Sequence, residues 1–230
     1  MTKITDYFQS PFQGQAAEEP PAEAVTGLSP RSHFITGRMP FKVPLDDLLL
    51  LRPSEPGKVV MMGREIPTPR YVAHYMRAYR YTGMTHPAEP LPDVLQPLLD
   101  WANTRAESWG APSGKAFNQA LVNFYMDGAH YIGHHSDDEA QLLPGGVIFS
   151  ASFGQERTFR IRRKAGGTHA AGDFETCAGA SSLDISCADG SYIVMAGDMQ
   201  KEFTHEVPRV HGRKAAGMGP RVNVTFRMFT

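Results

Sequence analysis

Apolar and polar side chains alternate with two different periods along the chain. Over "PDVLQPLLDWANTRAESW" (residues 92–109), Leu95, Leu98, Leu99 and Ala102 recur at i, i+3, i+4 and i+7, the spacing of one helical face. Asp93 stands at the expected N-cap with Gln96 three residues on, and Pro97 falls early enough to fit the first turn. From Phe117 onward the period shortens to two. "FNQALVNFYMD", "GVIFSASFG", "RTFRIRR", "SYIVMAG", "EFTHEV" and "RVNVTFRMF" are short runs rich in Val, Ile, Phe, Tyr and Thr, bounded by Gly, Pro or Asp. Such a series predicts a mainly β domain, a sandwich or barrel rather than a parallel α/β sheet. Residues 165–190, rich in Gly, Ala and Ser, interrupt it and read as one long loop.

Ahead of these elements, residues 9–30 are rich in Pro, Gln, Glu and Ala and poor in aromatics, which predicts a disordered tail over 1–30 and a single domain over 31–230. Within the tail, "MTKITDYF" sets Ile4, Tyr7 and Phe8 at i, i+3 and i+4, the anchors of a one-turn peptide that could plug an apolar pocket on a partner.

Composition narrows the class. The 230 residues are 41% hydrophobic and 20% charged, ordinary for a soluble globular protein. No apolar run is long enough to span a membrane, and Met1 to Ser10 lacks a secretory core, so the expectation is an intracellular protein with free thiols at Cys177 and Cys187. A net charge of −1 advertises no polyanionic partner across the whole surface. The cations are nonetheless uneven: "ERTFRIRRK" gathers Arg157, Arg160, Arg162, Arg163 and Lys164, and Arg209, Arg213 and Lys214 follow. A solvated strand face and a nucleic-acid footprint are both compatible with that run.

Candidate chemistry concentrates in "IGHHSDDE". Residues i and i+2 share a strand face, so His135 and Asp137 project together while His134 and Asp138 look away. One such pair is expected by chance among nine histidines, so the pair alone proves nothing. An open iron site needs a second histidine. In "EFTHEV", His205 shares its face with Phe203 and Val207, which predicts burial; a hydrogen-bonded core histidine is the competing reading. His169, His211, His33, His74, His86 and His130 are poorer candidates by position. The last strand sets Arg221, Asn223, Thr225 and Arg227 on one face, and "LVNFYMD" sets Asn123, Tyr125 and Asp127 on another. If both polar faces line a barrel that holds a metal, guanidiniums, amides and a phenol converge where a small dicarboxylate could be gripped.

From about residue 60 to the C-terminus, "NFYMDG", "IGHHSDDE", "SFG", "HEVP" and "PRVNVTFR" occur in an order that resembles the AlkB-type iron(II)/2-oxoglutarate dioxygenases, above all the branch that repairs alkylated DNA in eukaryotes. The resemblance implies a double-stranded β-helix (jelly roll) with N-terminal helix and hairpin elements. It implies iron(II) held by His135, Asp137 and His205, and 2-oxoglutarate contacted by Asn123, Tyr125, Arg221, Asn223 and Arg227, with Arg221 on the distal carboxylate. The reaction implied consumes 2-oxoglutarate and O2, oxidises an N-methyl group of the N1-methyladenine or N3-methylcytosine type, and releases succinate and formaldehyde.

For the substrate, the resemblance places Tyr79 and Tyr81 of "AYRYTG" in a flipped-base pocket, beside Asp138 and Glu139 as readers of the base. "VVMMGREIPTPR" resembles a hairpin that wedges the gap left by the base, with Met62, next to Met61, at the position of an aromatic finger. Arg70, Arg160, Arg162, Arg163, Lys164, Arg209, Arg213 and Lys214 fall where relatives grip phosphates. "ITDYF" resembles a sliding-clamp-binding peptide in which Met1 replaces the usual Gln. The expected protein is a monomer that acts on DNA or RNA without a membrane, nuclear in a eukaryote and cytoplasmic otherwise. An oxygenase of proteins or small molecules, and an inert β-barrel binding protein, are the alternatives.

Overall fold

The computed structural model describes residues 23–81, 84–164 and 182–230; the peptide anchors Ile4, Tyr7 and Phe8, Cys177 and most of the 165–190 segment lie outside them. In chain order the strands are β1 (Ala24–Ser29), β2 (Ser32–Arg38), β3 (Lys58–Met61), β4 (Arg64–Pro67), β5 (Tyr71–Tyr75), β6 (Tyr79–Tyr81) and β7 (Met84–His86). After them come β8 (Gln119–Tyr125), β9 (Ile132–His135), β10 (Ile148–Gly154) and β11 (Arg157–Arg163). The last are β12 (Leu183–Cys187), β13 (Ser191–Gly197), β14 (Phe203–Val207) and β15 (Arg221–Arg227). Among the described residues four α-helices intervene: α1 (Leu45–Leu49), α2 (Gln96–Arg105), α3 (Met199–Glu202) and α4 (Arg213–Ala216). Among the described residues no helix is long and apolar enough to cross a membrane.

A seven-stranded sheet in the order β1-β2-β13-β10-β15-β8-β5 and a four-stranded sheet in the order β12-β11-β14-β9 form the body of the fold, with β3–β4 and β6–β7 as separate hairpins. The strand pairs within both sheets are antiparallel. This is the mainly β, jelly-roll architecture expected.

Period-two alternation decides where the core lies. Val222, Val224, Phe226 and Met228 pack with Val122, Phe124 and Phe149 beneath α2, in one cluster with Leu98, Leu99 and Ala102. Trp109 stacks on Phe149 at 5.4 Å. The opposite face of the large sheet turns toward the small one, where Ile148, Ile193 and Met195 meet Phe159, Ile161 and Phe203. Every residue of β8 and β15 is therefore buried, polar ones included. An amphipathic strand ordinarily wets its polar face; here a second sheet covers it, so those polar groups must find partners inside.

Three sequence expectations shift. Ala24–Ser29, assigned to the tail, form the edge strand β1. Just before it, the Glu23 carboxylate accepts hydrogen bonds from Tyr192 OH (2.5 Å), Arg105 Nη2 (2.6 Å) and Trp109 Nε1 (3.1 Å). Leu183–Cys187, assigned to the long loop, form β12 against β11, which supplies the ladder partner that composition could not reveal. The 92–109 helix divides into a 3-10 turn at Asp93–Leu95, α2, and a second 3-10 turn at Glu107–Trp109. Asp93 makes no cap bond, and Gln96 Nε2 instead donates to Asp100 Oδ1 at 2.7 Å.

Candidate active site

β9 and β14 pair with His135 directly opposite His205. β9 ends at His135, and Asp137 follows just beyond it, so the expected shared strand face becomes a strand end plus a short extension. One donor atom from each of His135, Asp137 and His205 lies within 4.8 Å of the others. His135 Nδ1 donates to the Gly133 carbonyl at 2.8 Å, because that carbonyl can only accept, and its Nε2 lone pair is thereby left for the centre. Ser136 Oγ donates to the Phe203 carbonyl at 2.9 Å, and Gln200 Oε1 accepts from the Asp137 amide at 2.9 Å, which fixes the extension. Gln200 belongs to no motif and escaped the sequence analysis.

The charge states suit a metal. Burial opposes ionisation of Asp137, but the Arg227 guanidinium outweighs it and holds the carboxyl at about 2. Burial lowers His205 to about 3 and also lowers His135, so both rings are neutral and offer lone pairs. Two neutral imidazoles and one carboxylate match the two-histidine, one-carboxylate donor set of non-haem iron(II), and among the described residues no fourth ligand joins the cluster.

The polar faces of β8 and β15 meet as anticipated. Arg221 is opposite Tyr125, and Asn223 opposite Asn123. Arg221 is 2% exposed; its Nη2 donates to Ser152 Oγ at 2.8 Å, while Nε and Nη1 are buried without a partner. Its guanidinium lies 5.0 Å from the Tyr125 ring centre, with that of Arg157 at 5.6 Å. Two buried guanidinium nitrogens without an acceptor are costly unless an anion arrives. This chemistry fits one carboxylate of 2-oxoglutarate. Arg227 sits nearer the metal cluster, with Nη2 at 3.1 Å from Asp137 Oδ2 and Nη1 donating to Gln119 Oε1 at 3.2 Å. Asn223 Nδ2 is engaged by Ser150 Oγ and the Ala151 carbonyl, each at 2.8 Å.

A pocket lined by Arg70, Val72, His74, His86, Leu121, Ile132 and Arg227 opens onto His135 and Asp137. Arg70 departs from its expected place on a phosphate: it is 8% exposed and its Nε donates to Asn123 Oδ1 at 2.6 Å, so it is part of the pocket wall. Asp138 is exposed, 4.0 Å from Lys164. Neither Asp138 nor Glu139 is among the described residues that line this pocket. Tyr79 and Tyr81 lie on β6, paired with His86 and Met84, and Met61 ends β3; their side chains are outside the described set. Met62 caps the β3–β4 hairpin, fully exposed at 101%.

The basic run is largely spoken for. Arg160 binds Asp184 through Nε and Nη2, both at 2.6 Å, and Arg162 lies 3.4 Å from Glu206 and also contacts His134. Arg163 turns inward over the Phe203 ring, and Lys164 Nζ donates to the Gln200 carbonyl at 2.9 Å. Arg160, Arg162, Arg163 and Lys164 thus each meet a carboxylate, a carbonyl or a ring from β12, β14 or α3. Arg209, Arg213 and Lys214 are exposed, as a phosphate contact requires.

A family model described as the 2OG-Fe(II) oxygenase superfamily matches residues 56–227. The chain belongs to that superfamily. Within it the chain is AlkB-type. It is 34% identical over 174 residues to DNA oxidative demethylase ALKBH2 of Mus musculus, covering 74% of this chain and 66% of the relative. To alpha-ketoglutarate-dependent dioxygenase alkB homolog 3 of Mus musculus it is 36% identical over 163 residues, 70% of this chain and 52% of the relative. To the Homo sapiens ALKBH2 it is 32% identical over 173 residues, 74% and 60%. The chain therefore spans between about half and two thirds of these relatives. The solved structure of OsALKBH1 shares the fold, with a TM-score of 0.52 at 15% identity over 89% of this chain and 99% of that one. The oxygenase superfamily takes iron(II), 2-oxoglutarate and O2, and the donor set and the Arg221 chamber suit the first two.

Proposed function

We propose that this protein is an iron(II)/2-oxoglutarate-dependent dioxygenase that demethylates alkylated nucleic-acid bases, DNA in the first place, and returns the alkyl carbon as formaldehyde. The observation that carries the reading is the pairing of a neutral His135–His205–Asp137 donor set with a buried arginine, Arg221, whose Nε and Nη1 lack an acceptor. A metal site alone fits many proteins, and a buried unsatisfied guanidinium alone would only be a cost. Together they describe one small dicarboxylate bridging metal and arginine.

In this reading His135, Asp137 and His205 would hold iron(II), and Arg221 would hold the distal carboxylate. Bound iron with 2-oxoglutarate supplies the oxidation of a C–H bond of the N-alkyl group. Arg227 keeps Asp137 ionised and in place. The two sheets exclude water from the chamber, and the pocket beside His135 admits the base. ALKBH2 relatives named DNA oxidative demethylases support the substrate class. The exposed Met62 at the hairpin tip and the exposed Arg209, Arg213 and Lys214 support contact with a nucleic-acid strand. Docking on a sliding clamp through Ile4, Tyr7 and Phe8, a nuclear location in a eukaryotic cell, and a monomeric state complete the proposal.

The test is anaerobic loading with iron(II) and 2-oxoglutarate, followed by O2 and oligonucleotides carrying N1-methyladenine or N3-methylcytosine. Formaldehyde release matched to succinate, and lost in His135→Ala, is expected. Succinate formed with a methylated peptide but with neither oligonucleotide would move the substrate away from nucleic acid.

A further inference from the structure

His74 and His86 were set aside by the sequence reading, and the metal cluster does not use them. The fold brings them together from β5 and β7: their rings stack with centres 4.7 Å apart and an interplanar angle of 18°. Both line the pocket that also exposes His135 and Asp137. Two histidines stacked this closely cannot both carry charge without strong repulsion. Burial, then His86 and two nearby arginines, hold His74 at about 3, and burial also lowers His86. The pair is thus a flat, uncharged aromatic surface set into a wall.

The other charges around the pocket make that neutrality matter. Arg70 lines it while bonded to Asn123, Lys58 lines it 3.4 Å from Glu65, and Arg227 lines it while paired with Asp137. N1-Methyladenine and N3-methylcytosine are cationic at neutral pH, since the alkyl group occupies the ring nitrogen whose lone pair kept the base neutral. N3-Methylthymine, of similar size, is neutral. Imidazolium rings would repel the first two, whereas neutral π faces attract a flat cation and also stack on any base.

Resting on the nucleic-acid reading above, we propose that the stacked His74–His86 pair is a specificity-determining surface that favours cationic alkylated bases over neutral ones. His86, the less buried of the two, offers the face that meets the base, and His74 holds it from behind as a positioning residue.

The experiment compares kcat/KM for N3-methylcytosine and N3-methylthymine in one oligonucleotide sequence, for the wild type and for His86→Ala, His86→Phe and His86→Lys. The readout is the ratio of the two substrates within one preparation, so a loss of folded or metal-loaded protein cancels. Removing the ring in His86→Ala should lower the cationic preference about fivefold, the worth of one cation–π contact. His86→Phe should keep it, because a neutral aromatic face is restored. His86→Lys should lower it by about tenfold or more, through a fixed charge at close range in a low-dielectric wall. A ratio unchanged in both His86→Ala and His86→Lys would overturn the assignment while leaving the demethylase reading intact. A wild type that demethylates neither oligonucleotide would overturn both.

Discussion

Arg227 and Asp137 lie 90 residues apart in the chain and meet as a buried ion pair, Nη2 to Oδ2 at 3.1 Å with Nε at 3.3 Å, and both side chains are at most 4% exposed. The same carboxylate belongs to the His135–Asp137–His205 group that could hold a metal ion. The pair therefore ties strand β15 to that group.

Breaking this pair should destabilise the metal-free protein and shift its acid unfolding. The Asp137 carboxyl is held at about 2, below the ordinary value of 3.8. A depressed carboxyl stabilises the fold fully above its unfolded value and loses that contribution as the pH falls through its folded value. The wild type should thus keep this contribution at pH 5 and lose it between about 4 and 2. Arg227→Met leaves a buried carboxylate without its cation, which costs about 3 kcal/mol at neutral pH. Urea unfolding at pH 7 and acid titration followed by circular dichroism check both parts. Equal urea midpoints for the two proteins would show that the pair is not stabilising.

Arg221 should govern 2-oxoglutarate affinity. Its two unpartnered nitrogens are worth roughly 1.5–3 kcal/mol each when each donates to a carboxylate. Arg221→Lys keeps the charge but lacks the fork, and it should weaken 2-oxoglutarate by about a hundredfold. Calorimetric titration under anaerobic conditions with Mn(II) in the metal site measures this directly. A dissociation constant within a factor of about three of the wild type would place the distal carboxylate elsewhere.

Met62 should trade stability for function. It is followed by Gly63, and both have positive φ, 50° and 75°, so a two-residue turn joins β3 to β4 with a side chain where Asn or Gly is usual. Met62→Gly should raise stability by about 0.5–1 kcal/mol. It should also lower repair of a methylated base in duplex DNA more than in a single strand, since only the duplex has a gap to wedge. Melting temperature and the two rates test both signs. Stability gained with the duplex-to-single-strand ratio unchanged would detach the hairpin from substrate handling.

Glu23 should tie the chain ahead of β1 to the core. Its carboxylate takes hydrogen bonds from Arg105, Trp109 and Tyr192, and burial followed by this carboxylate raises the Tyr192 phenol far above its usual value. Glu23→Ala orphans two buried donors and should cost about 2 kcal/mol in urea unfolding. If the change is silent, the strap is not part of the cooperative fold.

What could be read from the sequence depended on whether an effect was local. Alternation in "RVNVTFRMF" assigned Arg221, Asn223 and Arg227 to one face, and the fold keeps them there because strand periodicity is a backbone property. His135 and Asp137 were found by the same rule, even though Asp137 lies just past the strand. Arg160 and Arg162 have partners that were hidden for the opposite reason. Their neutralisation depends on Asp184 and Glu206, brought in by strands β12 and β14, and no window around residue 160 contains those acids. Arg70 likewise reads as a surface cation until Asn123 from a neighbouring strand meets it. β12 stayed hidden because "LDISC" is short and sits behind a Gly- and Ser-rich stretch, so only pairing with β11 makes it a strand.

The His135–His205 register also bears on how the chain reaches its native state. Sliding β9 by one position would bring either His134 or Ser136 opposite His205, followed two residues later by Ser136 or Asp138. Neither slipped alignment presents a histidine and an aspartate two residues apart. Iron(II) would then reward only the correct pairing of two strands that the chain separates by some seventy residues, so the metal would act as a proofreader of assembly as well as a reagent.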